Sequence, residues 1–457
     1  MISDDMPSFW FRDLAGCLPR PALRANHEVD VAIAGAGFTG LWTAYYLARL
    51  RPELRICLID AAHVGYGASG RNGGWCTAGL AGLDGMLSDP ASRDAGVALA
   101  RAMFDAVDEV GRVCRAEKID CHYTKGGALR VATSPPQLEE IEREIAALRD
   151  QGFGEEDYRL LGVRESAQRI GIERNLGAIF SSHCAVIQPA RLVRGLADAV
   201  EARGVEIFEQ TAAAAIEPGR IVTRDFELRA RTVVRATEAY TKRLTGHRRR
   251  LVPLHSMMIA TEPLSDRLWE RLGLRERETF GDARRIVTYG QRTVDGRIAF
   301  GGRASYRFGS GIADRFDSDD PRFASIERTL FELFPALRGV EITHRWGGAL
   351  GVGRDWRAGV GFDRSTRLAW AGGYVGEGVA ASNLAGRTLA DLITGNETDR
   401  CGLAWVGPEM RNWEPEPLRW LAVAGISAIG ASADRVEFAR GRRPPLRAWL
   451  FDRIVGL

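Results

Sequence analysis

A chain that runs VDVAIAGAGFTGLWTAYYLA from Val29 to Ala48 has few folds open to it. Val29, Val31, Ile33 and Ala34 form an almost unbroken apolar run, the pattern of a parallel strand buried on both faces. The run ends in Gly35-Ala36-Gly37-Phe38-Thr39-Gly40, after which Leu41, Ala44, Tyr45, Leu47 and Ala48 recur at helical spacing. The glycines therefore fall in a strand-to-helix turn. Gly35 permits the sharp turn, Gly37 lets a pyrophosphate reach the backbone, and Gly40 lets the helix lie close against the strand. A second strand from Arg55 to Ile59 closes on Asp60, where a carboxylate can accept hydrogen bonds from a ribose diol. Strand, glycine turn, helix, strand and acid in this order predict a dinucleotide-binding βαβ unit.

The 457 residues suffice for two or three domains or an interleaved pair. A net charge of +3 is small for this length and gives no field that would draw nucleic acid. Seven cysteines, an odd number without a CxxC pair, suggest neither a disulfide framework nor a zinc site and fit a reducing compartment. The start MISDDMPSFWFRDL has acids where a signal peptide has a basic region. The longest uncharged apolar stretch, Trp420 to Ala433, is too short for a transmembrane segment. The expectation is a cytoplasmic protein.

Directly after the second strand, Gly65-Tyr66-Gly67-Ala68-Ser69-Gly70-Arg71-Asn72-Gly73-Gly74 leaves backbone N–H groups and polar side chains to wrap an extended polar ligand. A charge-rich helical region follows to about Arg149, a helix opens at Gln188-Pro189, and strands return at Val205 to Phe208 and Thr232 to Thr237. An excursion of strands then covers His255 to Thr261, Ile286 to Tyr289 and Arg297 to Phe300, with Asp295-Gly296 marking a hairpin turn. Finally Leu368 to Gly373 leads into Tyr374-Val375-Gly376-Glu377-Gly378-Val379 and a helix through Ile393. A ligand spanning the sheet from the first glycine turn to this last one would explain both. A diffusible nicotinamide cofactor would not need the second.

The order GAGFTG, terminal acid, GASGRNGG, ATEAYT, TEPL, WGG and GGYVGEGV resembles the D-amino-acid oxidase/glycine oxidase (DAO) superfamily of flavoproteins, and within it the γ-glutamylputrescine oxidase-like amine oxidoreductases. The resemblance implies an α/β fold: a Rossmann-like FAD-binding domain interleaved with an α+β substrate domain on a mostly antiparallel sheet. The expected division gives 29–92, 161–250 and 343–398 to FAD binding, 93–160 and 251–342 to the substrate domain, and 399–457 to a C-terminal helical extension. It implies FAD-dependent oxidation of a primary or secondary amine or amino acid, with O2 or another electron acceptor as the second substrate. Oxidation of a hydroxy acid or polyol phosphate, and a non-enzymatic FAD-binding electron carrier, are the alternatives.

Under the resemblance Gly35, Gly37 and Gly40 hold the pyrophosphate, Asp60 the ribose, and Ser69, Arg71, Asn72, Gly73 and Gly74 the pyrophosphate and flavin edge. Gly376, Glu377, Gly378 and Val379 aim a helix N-terminus at the flavin pyrimidine. Phe38, Thr39, Thr237 and Gly373 complete the cofactor set. Relatives that tether FAD use a late cysteine or a histidine after the second strand. This chain has no cysteine between Cys184 and Cys401, and Arg71 stands at the histidine's place, so non-covalent FAD is expected. Candidates for substrate handling are His255 as proton acceptor or carboxylate partner, Tyr289 and Tyr374 as orienting hydroxyls, Arg303 as a clamp for an acidic group, and Trp346 as a wall. Two departures stand out: no lysine follows Lys242, where oxygen-reactive relatives carry one over the flavin, and Glu377 is an acid beside the flavin turn, expected to face solvent.

Overall fold

The computed structural model describes residues 7–14, 19–440, 446, 447 and 449, without the side chains of 13, 303–305, 310 and 438–440. Two eight-stranded sheets organise it. In the first, His27–Ala34 lies between Glu227–Arg235 and Ile56–Ile59, parallel to both, and Glu206–Phe208 and Leu368–Gly372 extend the sheet in parallel on either side. That central place explains why the opening strand is apolar on both faces: Val31, Ala32, Ile33 and Ala34 are all buried. Gly359–Asp363 adds an antiparallel edge.

The second sheet runs from Ile342–Val352 through Val252–Thr261, Ile298–Tyr306, Thr288–Arg292, Thr279–Asp282, Ala128–Ala132 and Gly177–Ser181 to Tyr158–Leu161. Its pairings are antiparallel except that between Thr279–Asp282 and Ala128–Ala132. The fold is thus the expected mixed α/β type. The 93–149 stretch is not wholly helical, because Ala128–Ala132 leaves it to pair in this sheet between the helices Arg93–Ala116 and Pro135–Asp150. Ile342–Val352, which carries the WGG segment, also belongs to the second sheet, as does Gly177–Ser181.

Helix Phe38–Leu50 is buried from Phe38 through Ala48 and packs along the equally buried helix Gly378–Thr394, where Asn383 Nδ2 donates to Tyr46 Oη at 2.9 Å. The two helices that follow the glycine turns are therefore neighbours, and their N-termini meet the same space. No described helix is long and apolar enough to cross a membrane.

The segment Phe9–Leu14 forms a short helical turn whose Phe9, Trp10 and Phe11 are buried against Met258, Ala190 and Trp346. It seats the glycine loop from below: Ser8 Oγ donates to the Gly70 carbonyl at 2.6 Å and Trp10 Nε1 to the Asn72 carbonyl at 2.8 Å. Nothing in the helix or strand periodicity flagged these three aromatics, since they belong to neither pattern. Trp10 is 2% exposed, and Trp10→Ala is expected to lower stability by about 3–5 kcal/mol, checked by chemical denaturation of the full chain. A loss below about 1 kcal/mol would mean that the segment is not docked as described.

Candidate active site

The mouth of one cavity of about 670 Å³ opens between the sheets and collects most of the residues expected from the sequence. Gly35, Gly37, Phe38, Thr39, Asp60, Ser69, Arg71, Asn72, Gly73, Thr237, Tyr289, Tyr374, Gly376, Glu377, Gly378 and Val379 line it. Gly40, Gly74 and Gly373 lie behind its wall and shape it. A Cβ on Gly40 would stand 2.0 Å from the Gly35 carbonyl oxygen, so the helix can begin where it does only with glycine there. At Gly37 a Cβ would meet only the Ser69 side chain, its hydroxyl at 2.8 Å. The space over this turn is open to a ligand.

The two helices start without side-chain caps, at Gly37 and at Glu377. The N–H groups of their first turns, apart from that of Phe38, give the cavity two positively polarised ends, one at each glycine turn. Ser69 Oγ accepts the Phe38 N–H at 2.8 Å, which leaves its own proton to donate. Asp60 Oδ2 and Oδ1 accept the Ala36 and Ala62 N–H groups, each at 2.9 Å, so the carboxylate is fixed in orientation at the end of its strand. Burial raises its pKa. Asn72 is engaged within its own loop, donating to the Ala68 and Ser69 carbonyls and accepting the Gly74 N–H. Arg71 is buried with its guanidinium on the carbonyls of Tyr66, Asp314 and Gly347, stacked over the Tyr66 ring. It anchors the loop to the second sheet.

An anionic ligand long enough to run from the Gly37 turn to the Gly376 turn, with a diol near Asp60, matches this donor set. FAD is such a ligand.

Tyr374 does not serve as a free orienting hydroxyl. Its Oη is hydrogen-bonded to Thr39 Oγ1 at 3.0 Å, tying the last glycine turn to the first. Glu238, which sequence reasoning passed over, completes the tie: its carboxylate accepts the Gly373 N–H at 3.1 Å and the Tyr374 N–H at 3.3 Å. A Cβ on Gly372 or Gly351 would come within 2.9 or 2.8 Å of that carboxylate. Burial pushes the Glu238 pKa up to about 7, against the backbone N–H donors that lower it. An acid immediately after a buried strand, between the Thr237 and Ala239 of the ATEAYT segment, was the available signal.

His255 is a correction. Alternation along Val252–Thr261 puts Ser256, Met258 and Ala260 toward the cavity side and His255, Met257 and Ile259 on the other. His255 is 1% exposed, its Nε2 accepts the Ala313 N–H at 2.9 Å, and burial followed by the charges of Arg307 and Arg322 lowers its pKa to about 4. It is a neutral residue holding a loop, away from the cavity wall. Trp346 is also outside the cavity: its Nε1 donates to the Arg71 carbonyl at 2.9 Å and its ring stacks on Phe9. The backbone of Arg303 pairs with Ser256, and its side chain lies outside the described residues.

Tyr289 lies in the cavity wall. The half-buried ring lines the cavity, and its hydroxyl meets Ser256 Oγ at 2.5 Å while Ser256 donates onward to the Gly302 carbonyl at 3.1 Å. Glu377 is half-buried rather than facing bulk solvent, with its carboxylate close enough to Gly79 that a Cβ there would lie 2.9 Å away. Among the described lining residues the cationic side chains are Arg71 and Arg243, and Arg243 pairs with Asp314 at 3.1 Å.

Fold and cavity together define a flavin-dependent oxidoreductase. The profile of the family described as DAO, FAD dependent oxidoreductase, matches residues 30–392, and the chain belongs to that family. It is 28% identical over 385 residues to the γ-glutamylputrescine oxidoreductase of Escherichia coli (strain K12), covering 83% of this chain and 86% of that one. A probable oxidoreductase OrdL of Rhizobium meliloti (strain 1021) is 30% identical over 395 residues, with coverages of 83% and 86%. Among solved structures, glycine oxidase from Geobacillus kaustophilus superposes with a TM-score of 0.68 at 20% identity, covering 82% of this chain and 96% of its own, which shows a shared fold.

The raised Glu238 pKa has a stability consequence. Between the ordinary glutamate value of 4.5 and about 7 the folded chain keeps a proton that the unfolded chain has released. Stability from this group therefore falls as pH rises through that window, by on the order of 1–3 kcal/mol. Glu238→Gln, which cannot ionise, is expected to flatten that part of the stability profile in urea unfolding. An unchanged slope would contradict the protonated state.

Proposed function

We propose that this protein oxidises a primary or secondary amine or amino acid at the C–H next to nitrogen, using non-covalently bound FAD. The observation that carries the reading is the continuity of the cavity, from the Gly37 turn past Asp60 to the Gly376 turn and on to the Ser256–Tyr289 wall. A relative named for oxidation of an amine, γ-glutamylputrescine, supports the substrate class.

In this reading the Gly37–Thr39 N–H groups and Ser69 hold the pyrophosphate, Asp60 the ribose, and the Gly376–Val379 helix start the flavin's polar edge. Bound there, FAD supplies the acceptor for a hydride from the substrate carbon, and water hydrolyses the resulting imine. The protein's part is positioning. Tyr289, its hydroxyl joined to Ser256, presents its ring to the substrate. Glu238 and Tyr374 keep the flavin-side turn in register with the pyrophosphate turn. O2 or another acceptor then takes the electrons.

Neither cysteine nor histidine appears among the described residues lining the cavity, which supports a non-covalent cofactor. Acid precipitation of the holoprotein is expected to leave the flavin in the supernatant, and yellow precipitate would overturn this. The division of the chain into FAD-binding pieces at 29–92, 161–250 and 343–398 stays part of the proposal, except for the strands Gly177–Ser181 and Ile342–Val352, which pair in the second sheet. So does a cytoplasmic location, supported by an odd count of seven cysteines without a CxxC pair.

Anaerobic stopped-flow absorbance against polyamines, N-methyl amino acids, D-amino acids and hydroxy acids tests the reading. Bleaching by an amine is expected, with His255→Gln within about threefold of wild type and Tyr289→Phe slower by about tenfold or more. Bleaching by hydroxy acids alone would refute the amine reading.

A further inference from the structure

The family match ends at residue 392, yet the chain continues across the cavity's outer wall. Glu409 pairs with Arg235, with Arg250 at 2.9 Å and with His247 at 3.4 Å. Next to it Met410 presses on the back of the flavin-side turn: a Cβ on Gly373 would lie 2.6 Å from its methyl carbon. Trp413 is 3% exposed and donates from Nε1 to the Val352 carbonyl at 2.8 Å. It packs with Val423 against Val375 and Leu350, both of which line the cavity. Glu416 accepts the Tyr306 hydroxyl at 2.5 Å and the Trp420 N–H at 3.0 Å, opening helix Leu418–Arg440.

The far end of that helix reaches the other side of the mouth. Asp434 Oδ1 accepts the Arg285 N–H at 3.0 Å and its Oδ2 the Ile286 N–H at 2.8 Å. Glu437, itself 3% exposed, accepts from Arg285 Nη1 at 2.8 Å and from Ser134 Oγ at 3.2 Å. Arg285 and Ile286 end the loop that leads into Thr288–Arg292, and the next residue, Val287, lines the cavity at its rim, 37% exposed. Tyr289 follows two residues on. A loop whose backbone donors are held by a carboxylate from another element has its conformation set by that element.

We propose that the segment from Glu409 to Glu437 is a specificity-determining strap. Asp434, assisted by Glu437, is a positioning residue that fixes the Val287–Tyr289 side of the cavity mouth relative to the flavin-side turn. The strap thereby sets which molecules reach the flavin, while the flavin itself is held by the two glycine turns. The proposal rests on FAD occupying the cavity and not on the amine reading, so a substrate-independent probe separates the two.

Sulfite, which adds to the flavin and bleaches it without any amine, serves as the probe with holoprotein. Asp434→Ala is expected to change the rate constant of bleaching by about fivefold or more, the effect of losing roughly one hydrogen bond's worth of restraint. FAD content should stay as in the parent chain, with the unfolding midpoint lowered by the lost backbone acceptors. Asp434→Asn, which keeps an acceptor oxygen, is expected to fall between, and the exposed Arg435→Ala to match wild type. Should Asp434→Ala fail to retain FAD, Glu437→Gln is read in its place. Equal behaviour of all the proteins, including no reaction in any, overturns the proposal, as does an Arg435→Ala effect equal to that of Asp434→Ala.

Discussion

The structure depends on two helix N-termini being held apart by the right distance and at the same cavity. Each presents unpaired N–H groups that a buried chain cannot leave without a partner, so an anionic ligand is part of what makes the arrangement stable. The protein fixes the spacing with few contacts. The helices pack against one another along their buried faces, Thr39 and Tyr374 join the turns through their hydroxyls, and Glu238 clamps the second turn from the end of a neighbouring strand. Every other feature of the site is arranged around that gap. The glycine loop anchored by Arg71 lies along it, and the second sheet closes it.

Glu238 shows how such a site tolerates a carboxylate. Backbone donors from Gly373, Tyr374 and Gly351 reach its oxygens, but they do not outweigh the loss of water, so its proton is held into the neutral range. Burial likewise raises the Asp60 pKa, against the Ala36 and Ala62 donors that lower it. The outcome is a cavity whose acids are orientated by the main chain instead of by salt bridges. Where the wall meets solvent the pattern changes, and Asp314 is paired with Arg243.

Much of this was legible in the sequence because the flavin-binding elements obey local rules. A buried parallel strand, a glycine turn and a helix are each written in consecutive residues, and the second glycine turn announced itself by repeating the composition of the first. The substrate side was harder. Which face of Val252–Thr261 points inward depends on its register between two partners, and a shift of one residue exchanges His255 for Ser256. Tyr374 and Trp346 carry polar atoms whose use is decided by Thr39 and by the Arg71 carbonyl, each hundreds of residues away in the chain. Long-range pairing of that kind leaves no mark on neighbouring residues. The aromatic N-terminal turn beneath the glycine loop was equally silent.

The most direct measurement is the electron density of FAD in a crystal of the holoprotein. The account requires the pyrophosphate over the Gly37–Thr39 N–H groups, the ribose hydroxyls at Asp60, and the flavin's polar edge against Gly376–Val379 with Tyr289 on the substrate side. A flavin ring placed elsewhere, with the Gly376–Val379 helix start facing only water, would contradict it.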